Sequence, residues 1–221
     1  MKRILIGALA LVMVLSLSSC AALDVVKTNS IASFGRMVEA AGAFAVVDNQ
    51  NGGFVINAPD GSARLFIASE LGKAPEFDAV MVVDAQPFID AGLDLSKLPA
   101  GMAEGKTLRV GARYGKGQST RAQSAEAAFK AILDVSRYST KYHADLGHFG
   151  LNLGGGNVFE WAKDLTTNDL DIVFVLNPQL LVDAGVNPEK VAGWKYAMVT
   201  VMDDKGKMSE VYKFLKPFNL I

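Results

Sequence analysis

The side chains able to do chemistry are few and unevenly placed. Both histidines of the chain fall in His143-Ala-Asp-Leu-Gly-His148, with Asp145 between them and Tyr138 and Tyr142 just upstream. Two imidazoles and a carboxylate can ligate a metal or share protons in a hydrolytic step. The spacing matches no familiar ligand pattern, so neither metal nor cofactor is expected, and the plainer reading is surface and capping residues. A second grouping is basic. Strand alternation in Lys106-Thr-Leu-Arg-Val-Gly-Ala-Arg113 puts Arg109 and Arg113 on one face, where they suit an anionic group or guard an edge strand against aggregation. Trp161 and Tyr142 are the aromatic candidates for ligand contact, although core filling accounts for the tryptophan as well. Gly111 to Thr120 fails the phosphate-loop spacing, and no Ser/His/Asp arrangement can be argued from spacing.

The lone cysteine, Cys20, excludes a disulfide framework and a cysteine zinc site. It follows a basic start, Met1-Lys-Arg3, an uncharged run from Ile4 to Leu15, and Leu17-Ser-Ser. This is a secretory signal layout, too short in its apolar part for the roughly 20 residues that cross a bilayer. The tetrad Leu17-Ser-Ser-Cys20 resembles the lipobox of bacterial lipoproteins, a resemblance confined to the first twenty residues. It implies cleavage before Cys20, a lipid on that thiol, anchorage to an envelope membrane and no free thiol. With Ala21 rather than Asp after the cysteine, the class implies the outer membrane where there are two.

The elements that position these residues come from a body of ordinary composition. Of 221 residues half are apolar and a fifth charged, and 22 basic against 23 acidic residues leave a net charge of −1. That balance excludes a disordered charged tail and speaks against nucleic-acid binding. Within the body, Asp78 to Leu98 lies over Asp171 to Val191 with 8 identities in 21 positions, among them Gln86, Asp90, Ala91 and Gly92. Upstream, Gly52 to Asn57 matches Gly147 to Asn152, and Ser30 to Glu39 matches Ala125 to Asp134. The histidines stand opposite Asp48 and Gly53, and Trp161 opposite Ala68.

These matches predict a tandem duplication, 28–117 and 122–206, each copy an αβββαβ-like unit, after a signal peptide (1–19) and a lipidated tether (20–29). The apolar runs Ala79–Val83 and Ile172–Leu176 read as strands buried on both faces. Asp84, Asn177, Asp94 and Asn187 read as caps, which leaves them no catalytic part. Leu108–Tyr114 and Tyr196–Met202 are expected as closing strands, and 207–221 as a helix restarting before Pro217, then a tail. The fold expected is α+β, with an antiparallel-rich sheet, helices packed on it and a pseudo-twofold relation between copies. Functionally the sequence points to a lipid-anchored module of the cell envelope or periplasm that acts without catalysis, as a structural part or by binding an envelope protein or small molecule. The alternatives are an envelope hydrolase using Asp145 with His143 or His148, and a carrier of an apolar ligand between the copies.

Overall fold

A computed structural model describes residues 25–48, 53–68, 79–113, 124–135, 140–143, 146–167, 170–202 and 207–221. Cys20, the expected leader, Tyr138, Asp145 and the expected link 118–121 lie outside the described residues.

A first helix, α1, spans 25–41 and is followed by a short 3-10 turn, Gly42–Phe44. Six strands then form one antiparallel sheet: β1 Ala45–Asp48, β2 Gly53–Asn57, β3 Ala63–Ala68, β4 Ala79–Asp84, β5 Ala103–Glu104 and β6 Thr107–Ala112. The five-residue helix α2, Gln86–Asp90, and a 3-10 turn, Leu95–Lys97, separate β4 from β5. The second half opens on α3, Ala125–Val135. Its strands are β7 Thr140–His143, β8 His148–Asn152, β9 Val158–Ala162, β10 Ile172–Leu176, β11 Lys195–Met202 and β12 Met208–Phe218. Between β10 and β11 come α4, Gln179–Asp183, and the 3-10 turn Pro188–Lys190. The sheet orders are β1-β2-β3-β4-β6-β5 and β7-β8-β9-β10-β12-β11.

Local chemistry accounts for the turns. Asp84 accepts from the Gln86 amide and Asn177 from that of Gln179, while Gln86 and Gln179 donate to Asp90 and Asp183 one helical turn on. Asp94 and Asn187 cap the two later 3-10 turns. These polar residues are therefore occupied in holding backbone. Ala58-Pro-Asp-Gly-Ser62 and Gly154-Gly-Gly156 make the β2–β3 and β8–β9 turns, with left-handed glycines at 61 and 154 to 156.

One continuous core joins both sheets. Ile56, Leu65, Ile67, Met81 and Leu108 face it from the first, and Phe149, Phe159, Trp161, Phe174 and Phe214 from the second. The helices cross over. Lys27 of α1 pairs with Asp134 of α3, and Phe34 stacks on Phe129 at 4.2 Å, so the two run antiparallel. Yet Ser33 of α1 accepts from the Trp161 indole and Arg36 donates to the Lys163 carbonyl, whereas α3 packs on β2 and β3. Each half's long helix thus reaches the other half's sheet. A second junction is backbone to backbone: the Asp94 amide donates to Ala184 and the Asn187 amide to Ala91.

Three expectations need correction. Ser209 to Leu215 is not a returning helix but part of β12, which pairs with β10 and β11 on either side. Lys213 and Lys216 flank Phe214 and Leu215 three positions apart, a helix-like spacing, yet both are buried, one on each face of the strand with its stem covered. Pro217 is tolerated because the β11 ladder ends at Leu215, leaving one side of the strand without a partner there. Second, β12 rather than Tyr196–Met202 takes the place beside β10 that Leu108–Ala112 takes beside β4, and the second sheet's strands run to 218, past the expected 206. Third, Trp161 pairs with Ile172 as Ile67, not Ala68, pairs with Ala79.

Candidate functional site

Alternation along the strands of the second sheet sends His148, Gly150 and Asn152 of β8, Val158 and Glu160 of β9, and Val173 and Val175 of β10 to the face opposite the core. That outer face is concave. A cavity of about 490 Å³ lies on it, within the ordinary range of small-molecule sites. Its far wall is Ala197 to Val201 of β11 with Lys213, Leu215 and Pro217 of β12. Residues 208–213 of β12 pair only with β11, so this end of the hairpin is a two-stranded ribbon running past the edge of β10. In the first sheet the corresponding pair is β5, two residues long, with β6. The cavity therefore belongs to the second sheet and its longer final hairpin.

Polar groups mark the two ends of a largely apolar floor. At one end His143 and His148 face each other across the β7–β8 ladder, and the Glu160 carboxylate lies diagonally on β9. Nδ1 of His143 is 3.3 Å from Glu160 Oε1 and Nδ1 of His148 is 3.3 Å from Oε2. Glu160 is 8% exposed and His148 3%. Burial alone would raise the Glu160 pKa; hydrogen bonds from His143 and His148, and their charge, outweigh it and hold it at about 2. Gly150, between these strands, has no room for a side chain: a Cβ there would lie 3.0 Å from Val158 Cγ1 and 3.7 Å from Glu160 Cγ.

At the other end Lys213, 7% exposed, donates from Nζ to the Gly156 carbonyl at 2.8 Å. It has no carboxylate partner among the described residues. Burial lowers its pKa below the usual lysine range. Lys195 stands exposed at the rim nearby, one strand over from Leu215.

The sequence-derived candidates distribute unevenly over this geometry. His143 and His148 line the cavity, and the carboxylate that joins them is Glu160. Tyr142, an exposed side chain, packs at a tilt against Phe149 on the face away from the cavity, and Trp161 is fully buried between Phe34 and Phe159. Arg109 is ion-paired with Glu104 on the first sheet and Arg113 is exposed just past β6. Neither arginine lines the cavity. Glu160 and Lys213 went unseen because their significance depends on which strands are neighbours. The alternation Val158-Phe-Glu-Trp-Ala162 was the available signal: it puts Glu160 opposite the core-bound Trp161.

Protein-family models, curated proteins and solved structures were compared with the chain, and none matches.

The geometry carries the chemical reading alone. Among the described residues no group of three or more His, Cys, Asp or Glu side chains is arranged to hold a metal ion. No described helix is long and apolar enough to cross a membrane. What the arrangement offers is a largely apolar trough with Lys213 and Lys195 at one end and, at the other, a carboxylate held by two imidazoles with Lys141 in the same cross-strand row.

Proposed function

We propose that the protein is a lipid-anchored module of the bacterial cell envelope that binds a small molecule without transforming it. The cavity on the outer face of the second sheet is the observation that carries this reading, since it joins adequate volume, apolar walls and a few converging polar groups. The space between the halves, where a carrier site was the sequence-based alternative, is occupied by Phe34, Phe88, Phe129, Trp194 and their neighbours. The lipobox-like Leu17-Ser-Ser-Cys20 supports the anchor. Two or more acyl chains at ~0.8 kcal/mol per buried CH₂ make such an anchor long-lived.

The body is the product of a tandem duplication in this reading. The identical strand order of the two sheets, the matched Gln–Asp pairs of α2 and α4, and the reciprocal amide bonds at Asp94 and Asn187 support it. One copy then kept a short final hairpin, while the other grew the ribbon that walls the cavity.

Labelled palmitate supplied to cells expressing the wild type and Cys20→Ala tests the anchor. Label in the wild type alone is the expected result, and an unlabelled wild type removes the lipoprotein reading. A second reading, acid–base hydrolysis, has one observation in its favour: His148 lies within hydrogen-bond distance of a carboxylate, Glu160. Both Nδ1 atoms are directed at that same carboxylate, an arrangement that fixes the rings.

A further inference from the structure

Two lysines of β12 are almost equally buried, Lys213 at 7% and Lys216 at 8% exposure, and they have opposite fates. Lys216, on the core side, pairs with Asp60 at 3.1 Å and lies over the rings of Trp194 and Phe218. Lys213, on the cavity side, has one backbone carbonyl and no carboxylate among the described residues. Buried ammonium groups are ordinarily paired, because stripping water from an uncompensated charge costs several kcal/mol. A lysine left this way in the wall of a cavity is half of an ion pair.

We infer that the cavity binds a long-chain carboxylate, its head on Lys213 with Lys195 at the rim and its hydrocarbon tail along the valine and leucine floor toward Leu146 and Leu170. This deepens the binding reading above and rests on it. Charge complementarity fixes the orientation. The lysine end holds Lys213 and Lys195 with no carboxylate lining the cavity beside them, while at the opposite end Lys141 shares a cross-strand row with Glu160, whose carboxylate is ionised over the physiological range and offsets the cations there. Rows Val175–Val158 and Ala162–His148 are four residues apart along the strands, about 13 Å at ~3.3 Å per residue, so the cavity floor has the length of an extended chain segment, which would run along the Val173 side past Glu160. The head must be small. Lys213 Nζ lies inside the wall beside the Gly156 turn, where a carboxylate reaches it more readily than a bulkier glycerol phosphate head.

The test uses the full chain in isolated envelopes and photo-crosslinking probes that share one alkyl chain: a diazirine fatty acid, the matching alcohol, the matching alkylammonium and a lysophosphatidate. Crosslinked peptides are mapped by mass spectrometry and half-saturation is read from titrations. The fatty acid is expected to label peptides containing Val173–Val175 and Ala197–Val201, ahead of the other three. Lys213→Met should weaken the acid about thirtyfold or more, as removal of one partner of a buried charged pair does, and leave the alcohol nearly unchanged. Equal labelling by acid and alcohol, or preference for the ammonium or lysophosphatidate, overturns the carboxylate assignment while the cavity stands as a binding site. Absence of label in those peptides with every probe overturns the binding site itself.

Discussion

At the scale of the residue, the decisive facts concern two charges that differ in how they are compensated. Glu160 is held ionised by His143 and His148, and its pKa lies below the ordinary 4.5, at about 2. A carboxyl group whose folded pKa is lowered stabilises the fold fully above its unfolded pKa and loses that contribution as pH falls toward the folded value. Glu160→Gln should therefore cost roughly 1–3 kcal/mol at pH 6, in the range for hydrogen bonds to a charged group. The deficit should shrink between pH 4.5 and about 2. Thermal unfolding of both proteins at pH 6 and pH 3.5 checks this; a deficit that stays constant or widens on acidification contradicts the assignment. Fatty-acid crosslinking near pH 7 should survive the same substitution, because Glu160 lies at the end of the cavity opposite Lys213. Loss of labelling with folding retained would move the carboxylate into the binding machinery and reopen the hydrolytic reading.

At the scale of the element, the sequence disclosed what local pattern encodes. The buried runs of β4 and β10, the Asx caps at Asp84, Asn177, Asp94 and Asn187, and the glycine turns at 61 and 154 to 156 all depend on neighbours in sequence. The ribbon did not, because β12 mixes lysines with aromatics and ends near a proline, and only its pairing with both β10 and β11 resolves the pattern as a strand. Likewise the histidine pair was visible but its partner was not, since Glu160 joins the pair through the β8–β9 register. The ribbon also invites a clean experiment. Replacing 199–211 by a two-residue Asn-Gly turn would join Met198 to Tyr212, its partner in the ladder, and give β11 and β12 a tight connection of the kind that Gly105-Lys106 provides between β5 and β6. The residues removed lie beyond the stretch of β12 paired to β10, so the fold should persist, with unfolding still cooperative. Crosslinking by the fatty acid should disappear. Undiminished labelling in the shortened protein would show that the ribbon is not a wall of the site.

At the scale of the whole molecule, the question is whether the halves are two bodies in contact or one interlocked unit. The helix crossover argues for one unit, since parting the halves would break the bonds of α1 to Trp161 and Lys163 and the packing of α3 on β2 and β3. The sharpest probe is the backbone junction at Gly92 and Gly185, with φ of +107° and +105°. A Cβ on either glycine would stand 2.8 Å from the carbonyl oxygen of the other, against rigid backbone. Gly92→Ala and Gly185→Ala should therefore each cost about 2–4 kcal/mol, combining left-handed strain with overpacking. For a chain of this size that is a fall in Tm of roughly 4–16 °C. The double variant decides between the pictures. If the halves form one unit, the first alanine already forces the junction apart, and the second meets less resistance. The double cost should then fall short of the sum by ~1 kcal/mol or more, the coupling typical of residues in contact. Strict additivity would mean that each alanine is accommodated locally without moving the junction. Two separate unfolding transitions in either single variant would mean that the halves are independent domains.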